Sequence, residues 1–280
     1  MSGIKKVIPR LATFIVGVPL FVGLVYVDFF HHLPIHIILI LMSALTSSEL
    51  CSIFSRGSGC QSKTLVVPLS VLTTLLASLC AIFSLHESLS NYVFMGAIMI
   101  TMAVEAITQK EFSASNSRLA ASAFTILYCG YFPAFIARLT VVPHSRILLA
   151  VFLFSVFMCD SAAWLFGNLF GKNNKGLIKA SPNKSIAGFL GGFFGAIAAG
   201  CIGNAIFPEV FGSFPKVALI SVLTALFAIV GDLVESVFKR SAGVKDSGKL
   251  IPGRGGMLDC SDSILFAAPI FYLSYTILFQ

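Results

Sequence analysis

The sequence is a succession of long apolar runs separated by short polar connections. A helix needs about 20 mostly apolar residues to cross the hydrocarbon core of a bilayer. Hydrophobic residues make up 57% of the chain and charged residues only 11%, which is too little charge to cover the surface of a soluble domain of this length. The pattern therefore predicts an all-α, polytopic transmembrane helix bundle embedded in a lipid bilayer.

Nine runs are candidate spans. They are Leu11–Phe30, Pro34–Phe54, Leu65–Leu85, Tyr92–Ile107, Leu119–Ala137, Ile147–Phe166, Ser185–Phe207, Val217–Val237 and Asp262–Phe279. The first run follows a basic N-terminus, as the apolar core of a signal peptide does. It is too long for such a core, however, and no small-residue cleavage site follows it, so we interpret it as a span.

The basic residues predict the orientation of these spans. With the N-terminus inside the cell, only Arg138, Arg146 and Lys216 of the 19 basic residues fall in outside connections. Lys and Arg are enriched in cytoplasmic connections, so we expect the N-terminus inside and the C-terminus outside. The net charge of +7 lies in these short connections, which favours lipid head groups or phosphates over nucleic acid as partners.

Two inside connections stand apart from the rest. They cover about 167–184 and 238–261, and both are rich in Gly, Lys, Ser and Asn. We therefore expect an N-terminal group of transmembrane helices over 1–145, followed by a C-terminal transmembrane region over 146–280 that carries both connections and is the candidate for any catalytic site. The short chain shows no soluble extension, which favours a bacterial inner (plasma) membrane. Glycines such as Gly191, Gly192 and Gly195 can pack helices within one chain or between two copies in a homodimer.

Acidic residues lie at the inside ends of three C-terminal spans. Asp160 is in the sixth span, Asp232 and Glu235 are in the eighth, and Asp259 and Asp262 open the ninth. A charged side chain near the bilayer centre costs at least about 2.5–3.5 kcal/mol on insertion scales, so such residues usually mark a pathway or a site.

The spacing of these acids leaves two interpretations open. Asp232, Glu235, Ser236 and Lys239 share one face of a helix, either as part of a site or as a helix end whose charges neutralise one another. Carboxylates at the start of a helix are also stabilised by its macrodipole, so Asp262 can be an N-cap instead of a ligand.

The connection before the last span combines cations with glycines. These residues are Lys239, Arg240, Lys245, Lys249, Arg254, Gly255 and Gly256. Glycine lets backbone N–H groups approach phosphate oxygens, and the cations neutralise them. Flanking carboxylates suit Mg²⁺, which is bound through one or two carboxylates together with substrate phosphates. The alternative is a solvated loop that only sets the topology.

The same connection resembles the signature of the phosphatidate cytidylyltransferase (CDP-diacylglycerol synthase) family. The signature reads S-x-x-K-R-x4-K-D-x-x-x-x-x-P-G-H-G-G-x-x-D-R-x-D, and the segment from Ser236 to Asp262 follows it. A second stretch also resembles the family, from Asp160 through Gly167, Lys172 and Ser181-Pro182-Asn183-Lys184-Ser185 to Gly192.

Four positions depart from the family pattern. Arg254 replaces the signature His, Cys260 replaces the Arg between the two Asp residues, Ala187 replaces a Glu, and Trp164 replaces a Tyr. A general-base role of that His would be lost. The resemblance implies that an anionic lipid phosphate is the nucleophile, and such a nucleophile needs no strong base.

The resemblance implies a nucleotidyltransferase that converts CTP and phosphatidate into CDP-diacylglycerol and pyrophosphate at the cytoplasmic face. It implies that Asp232 and Asp259 bind Mg²⁺, with Asp262 as a direct or indirect ligand. It further implies that Lys239, Arg240 and Lys249 neutralise the triphosphate, and that Asp160 is a metal ligand or a partner of Lys184. The residues expected to bind substrate are Asp160, Ser181, Lys184, Ser236, Lys245, Arg254, Gly255 and Gly256.

Two alternatives compete with this prediction. A CTP-dependent lipid kinase would share the nucleotide loop but phosphorylate a lipid alcohol. A transporter would also keep charges within its spans, but it would be expected to carry them at mid-depth in both halves of the chain.

Overall fold

A computed structural model describes residues 23–27, 29–176 and 178–279 of the chain. Within these residues every regular element is a helix. Eight helical segments are long and apolar enough to cross a membrane, and they coincide with the second to ninth predicted spans. The all-α multi-pass membrane fold is thereby confirmed. The first predicted span, Leu11–Phe30, lies mostly outside the described residues, and both it and the orientation of the termini stay predictions.

The helices are α1 (Leu33–Arg56), α2 (Lys63–Ile82), α3 (Ser88–Thr108), α4 (Ser115–Thr125), α5 (Phe132–Leu139), α6 (Ser145–Phe170), α7 (Ile186–Ile206), α8 (Pro208–Phe211), α9 (Phe214–Ser241) and α10 (Leu258–Phe279). A π-helical turn, Ile126–Tyr131, joins α4 to α5, and the three together form one span. Both predicted inside loops are shorter than expected, at 171–185 and 242–257. The reason is that hydropathy marks the apolar part of a helix and not its polar ends.

The chain forms two compact units. The first unit comprises Met1–Val141 together with Ser241–Cys260, and the second comprises Val142–Arg240 together with Ser261–Gln280. The 242–257 loop therefore belongs to the first unit, although it lies more than 100 residues further along the chain than α5.

Several polar groups buried in the first unit are satisfied by nearby residues. Thr46, Ser47 and Ser70 are buried, and each hydroxyl donates to the carbonyl four residues earlier in its own helix. The buried Glu105 carboxylate accepts hydrogen bonds from the Arg118 guanidinium, at 2.6 and 2.9 Å. A charge inside a span is tolerated here because it is paired.

In the second unit the Gly-rich run is a helix, α7, that packs tightly on α6. A Cβ on Gly191 would lie 2.7 Å from Cγ of Phe166, and one on Gly195 would lie 2.6 Å from Cβ of Ala162. Only glycine allows the two backbones to come this close. These glycines therefore pack helices within a single chain, and the homodimer stays a prediction.

Candidate active site

Three carboxylates meet where α9 and α10 approach each other in the second unit. Asp232 and Glu235 lie one turn apart on α9, and Asp262 lies on α10. One oxygen from each side chain lies within 4.8 Å of the others. Gly231 permits this approach, because a Cβ there would lie 2.6 Å from Cβ of Phe266 and 2.7 Å from the carbonyl oxygen of Asp262.

Two lysines neutralise part of this charge. Lys184, from the 171–185 loop, forms an ion pair with Asp232, and Lys239 forms one with Glu235 a turn earlier on α9. The role expected for Asp160, as a metal ligand or a partner of Lys184, stays a prediction. With every group ionised, the three carboxylates and two ammonium groups have a formal net charge of one negative unit. Glu235 is only 1% exposed and Asp262 only 7%.

This donor set fits a divalent cation. Carboxylate oxygens are the hard ligands that Mg²⁺ prefers, and burial of three like charges is costly unless a cation offsets it. The sequence predicted Asp232 and Asp262 at the metal, and the structure brings them together. It adds Glu235, which sequence reasoning had placed on the same helical face as Asp232 without assigning it to the metal.

Asp259 lies in the first unit and holds part of the 242–257 loop. Its Oδ2 accepts hydrogen bonds from the backbone N–H of Ser247, the Ser247 hydroxyl and the backbone N–H of Gly256, at 2.7 to 2.8 Å. The N–H of Gly255 donates to the carbonyl of Ile251 at 3.0 Å. The role of Asp259 as a metal ligand stays a prediction.

A cavity of about 310 Å³ lies beside Asp232 and Lys184 in the second unit. Its wall combines charged, apolar and backbone groups, which include Asp160, Trp164, Lys175, Asn183, Lys184 and Asp232. This volume is at the lower end of the range for small-molecule sites. Asp160 and Lys184 thus line one cavity.

The 171–185 loop is closed at its base and positions Lys184. Lys175 and Ser185 form an antiparallel bridge, and the Gly176 N–H donates to the Lys184 carbonyl at 3.3 Å. Ser185 caps α7 by accepting a hydrogen bond from the Gly188 N–H at 3.0 Å.

The other predicted site residues lie in both units. In the second unit, the Arg240 side chain donates to the Ala180 carbonyl at 3.4 Å, next to Ser181, and Ser236 is buried on α9. In the first unit, Lys245, Lys249 and Arg254 are exposed on the 242–257 loop.

Comparison with known proteins identifies relatives of this chain. The sequence profile described as "Cytidylyltransferase family" matches residues 8–278. A protein named phosphatidate cytidylyltransferase from Staphylococcus epidermidis is 40% identical over 125 residues, which is 45% of this chain and 47% of that protein. Proteins of the same name from Staphylococcus saprophyticus and Staphylococcus aureus are 39% and 40% identical over 115 residues, or 44% of each relative. In these alignments the chain spans about half the length of the relatives.

Proposed function

Because the chain belongs to the cytidylyltransferase family, we propose that it transfers the cytidylyl group of CTP to phosphatidate. A phosphate oxygen of the lipid forms a bond to the α-phosphorus of CTP, the bond from that phosphorus to the bridging oxygen breaks, and pyrophosphate leaves. The products are CDP-diacylglycerol and pyrophosphate.

One observation carries the proposal: three carboxylates from two helices lie within 4.8 Å of one another and pair with Lys184 and Lys239. Phosphoryl-type transfers depend on positioning and charge stabilisation more than on covalent chemistry by the protein. A site that juxtaposes acids and lysines beside a cavity suits a reaction between two phosphate groups.

We propose that Asp232, Glu235 and Asp262 hold Mg²⁺, with Asp259 as a further candidate ligand. When bound, Mg²⁺ would offset the negative charge of the triphosphate and of the leaving pyrophosphate. The ammonium groups of Lys184 and Lys239 are already held at this place and would bind phosphate oxygens directly.

The remaining predicted residues would also bind substrate. Arg240, Lys245, Lys249 and Arg254 supply positive charge for the triphosphate, while Asp160, Ser181 and Ser236 supply polar contacts. Gly255 and Gly256 already use their N–H groups inside the loop. We therefore propose that these two glycines shape the loop instead of donating to phosphate.

The substrates suggest where the reaction takes place. Phosphatidate remains in the bilayer because of its acyl chains, whereas CTP is dissolved in the cytosol. We propose that the site faces the cytoplasm at the plasma membrane, in line with the basic residues of the two loops.

The test is transfer by the purified protein in detergent micelles that contain phosphatidate and Mg²⁺. CTP labelled at the α-phosphate should transfer its label to the lipid, with one pyrophosphate released per lipid product. CTP labelled at the γ-phosphate should leave the lipid unlabelled. Label from the γ-phosphate in the lipid would instead identify a lipid kinase, and no label from either position would refute both activities.

A further inference from the structure

The Glu49 carboxylate connects α1 to a segment about 200 residues further along the chain, within the first unit. Its Oε1 accepts a hydrogen bond from the Met257 N–H at 2.9 Å. Its Oε2 accepts one from the Leu258 N–H at 2.8 Å and lies 2.9 Å from the Ser247 hydroxyl. Met257 and Leu258 stand at the start of α10, where backbone N–H groups have no partner within the helix.

The surrounding loop is built to admit this carboxylate. A Cβ on Gly248 would lie 2.7 Å from Oε1 of Glu49, and one on Gly256 would lie 2.6 Å from its Cδ. The loop therefore needs glycine at both positions. Glycine has the largest conformational freedom to lose on ordering, so a loop of this composition requires a strong external anchor.

Ser247 links Glu49 to Asp259. Its hydroxyl lies 2.9 Å from Oε2 of Glu49 and 2.8 Å from Oδ2 of Asp259, while its N–H donates to the same Asp259 oxygen. The loop thus closes around two carboxylates, one from α1 and one from α10. Lys245, Lys249 and Arg254 lie exposed on the same loop.

We infer that Glu49 is a positioning residue, which fixes the 242–257 loop so that its cations are held ready for a triphosphate. This inference rests on the proposed function. Glu49 acts through the loop and not on the reacting atoms. Its loss should weaken binding of CTP while leaving the transfer step in the bound complex nearly unchanged.

The test compares Glu49→Gln with Glu111→Gln, an exposed carboxylate of the same unit. Glutamine keeps the size of the side chain but replaces one acceptor oxygen with an NH₂ group, so the N–H of either Met257 or Leu258 loses its acceptor. Losing hydrogen bonds to a charged group should raise the KM for CTP by about tenfold or more, with kcat changed less than about threefold. Glu111→Gln should match the unmodified protein in both constants.

A second readout, amide hydrogen exchange of the complete protein without CTP, does not depend on activity. In Glu49→Gln, exchange should accelerate by about tenfold or more at 247 and 256–258, and peptides from α2 and α3 should keep their protection. Ser247→Ala, which leaves Glu49 in place, should accelerate exchange in the same peptides by a smaller factor.

Three results would overturn the inference. They are unchanged exchange in the loop of both variants, loss of protection throughout the first unit, and a fall in kcat with an unchanged KM for CTP. If the unmodified protein transfers no cytidylyl group, the proposed function fails, while the exchange measurement still decides whether Glu49 anchors the loop.

Discussion

Replacing Asp262 with Asn should have opposite effects on stability with and without a divalent cation. The Asp262 side chain is almost fully buried, and its carboxylate lies within 4.8 Å of those of Asp232 and Glu235. Two like charges at 4.8 Å repel by about 3.5 kcal/mol at an effective dielectric constant of about 20. Asp262 takes part in two such repulsions, which Lys184 and Lys239 partly offset.

Without a cation, the substitution should therefore stabilise the protein. Asparagine has nearly the same shape and removes the charge, so we expect a gain of roughly 1–3 kcal/mol once the lysines are counted. In a domain of 150–250 residues each kcal/mol shifts the unfolding midpoint by roughly 2–4 °C, so the rise should be several degrees. With Mg²⁺ and CTP the order should reverse, because the variant would lose a proposed cation ligand and with it the stabilisation that ligand binding provides.

The assay is thermal unfolding of purified protein in detergent, first with a chelator and then with increasing Mg²⁺ at fixed CTP. Glu209→Gln is the control, since Glu209 is an exposed carboxylate of the same unit and should show neither effect. The reasoning is refuted if Asp262→Asn is less stable than the unmodified protein in chelator, or if Mg²⁺ and CTP stabilise both proteins equally.

Three further predictions concern the packing of two helices, a buried ion pair and a cysteine thiol. Gly195→Ala should destabilise the protein by about 1–3 kcal/mol and lower the unfolding midpoint, because its new Cβ meets α6. Gly96→Ala, with no atom within 4 Å of the added Cβ, should be neutral or stabilising. Equal effects of the two substitutions would contradict the tight packing of α7 on α6. Arg118→Met should cost about 3–5 kcal/mol in the same unfolding assay, because it leaves the buried Glu105 without its cation. Adding Glu105→Gln should recover part of that loss, and no recovery would show that the ion pair is not the cause. Contact with the Cys51 thiol lowers the pKa of Cys60 to about 7 from its usual 9.0. The rate at which iodoacetamide alkylates Cys60 should therefore rise through pH 7 and level off near pH 8. A midpoint of this rate profile at about pH 9 would refute the prediction.

Hydropathy predicted the spans because the bilayer imposes one length and one polarity on every crossing segment. The same signal placed the start of both loops too early, since α6 continues to Phe170 and α9 to Ser241. A helix can continue into polar residues beyond its apolar core, and hydropathy does not detect that part.

The acidic cluster was partly predictable. Asp232 and Glu235 are three residues apart, so helical periodicity places them on one face. Their proximity to Asp262 depends on how closely α9 and α10 pack, which Gly231 permits, and no local pattern reports that distance. The contact of Glu49 with Ser247 and Leu258 is further from any sequence rule, because it joins segments about 200 residues apart.

We propose that Asp232, Glu235 and Asp262 form one divalent-cation site on which cytidylyl transfer depends. Binding of Mn²⁺, a paramagnetic substitute for Mg²⁺, tests this site directly when followed by electron paramagnetic resonance in the presence of CTP. The unmodified protein should bind Mn²⁺ in a form that Mg²⁺ displaces, and Glu235→Gln should weaken that binding by about tenfold or more, as expected for loss of a charged ligand. Mn²⁺ binding of unchanged affinity in both Glu235→Gln and Asp262→Asn would contradict the claim.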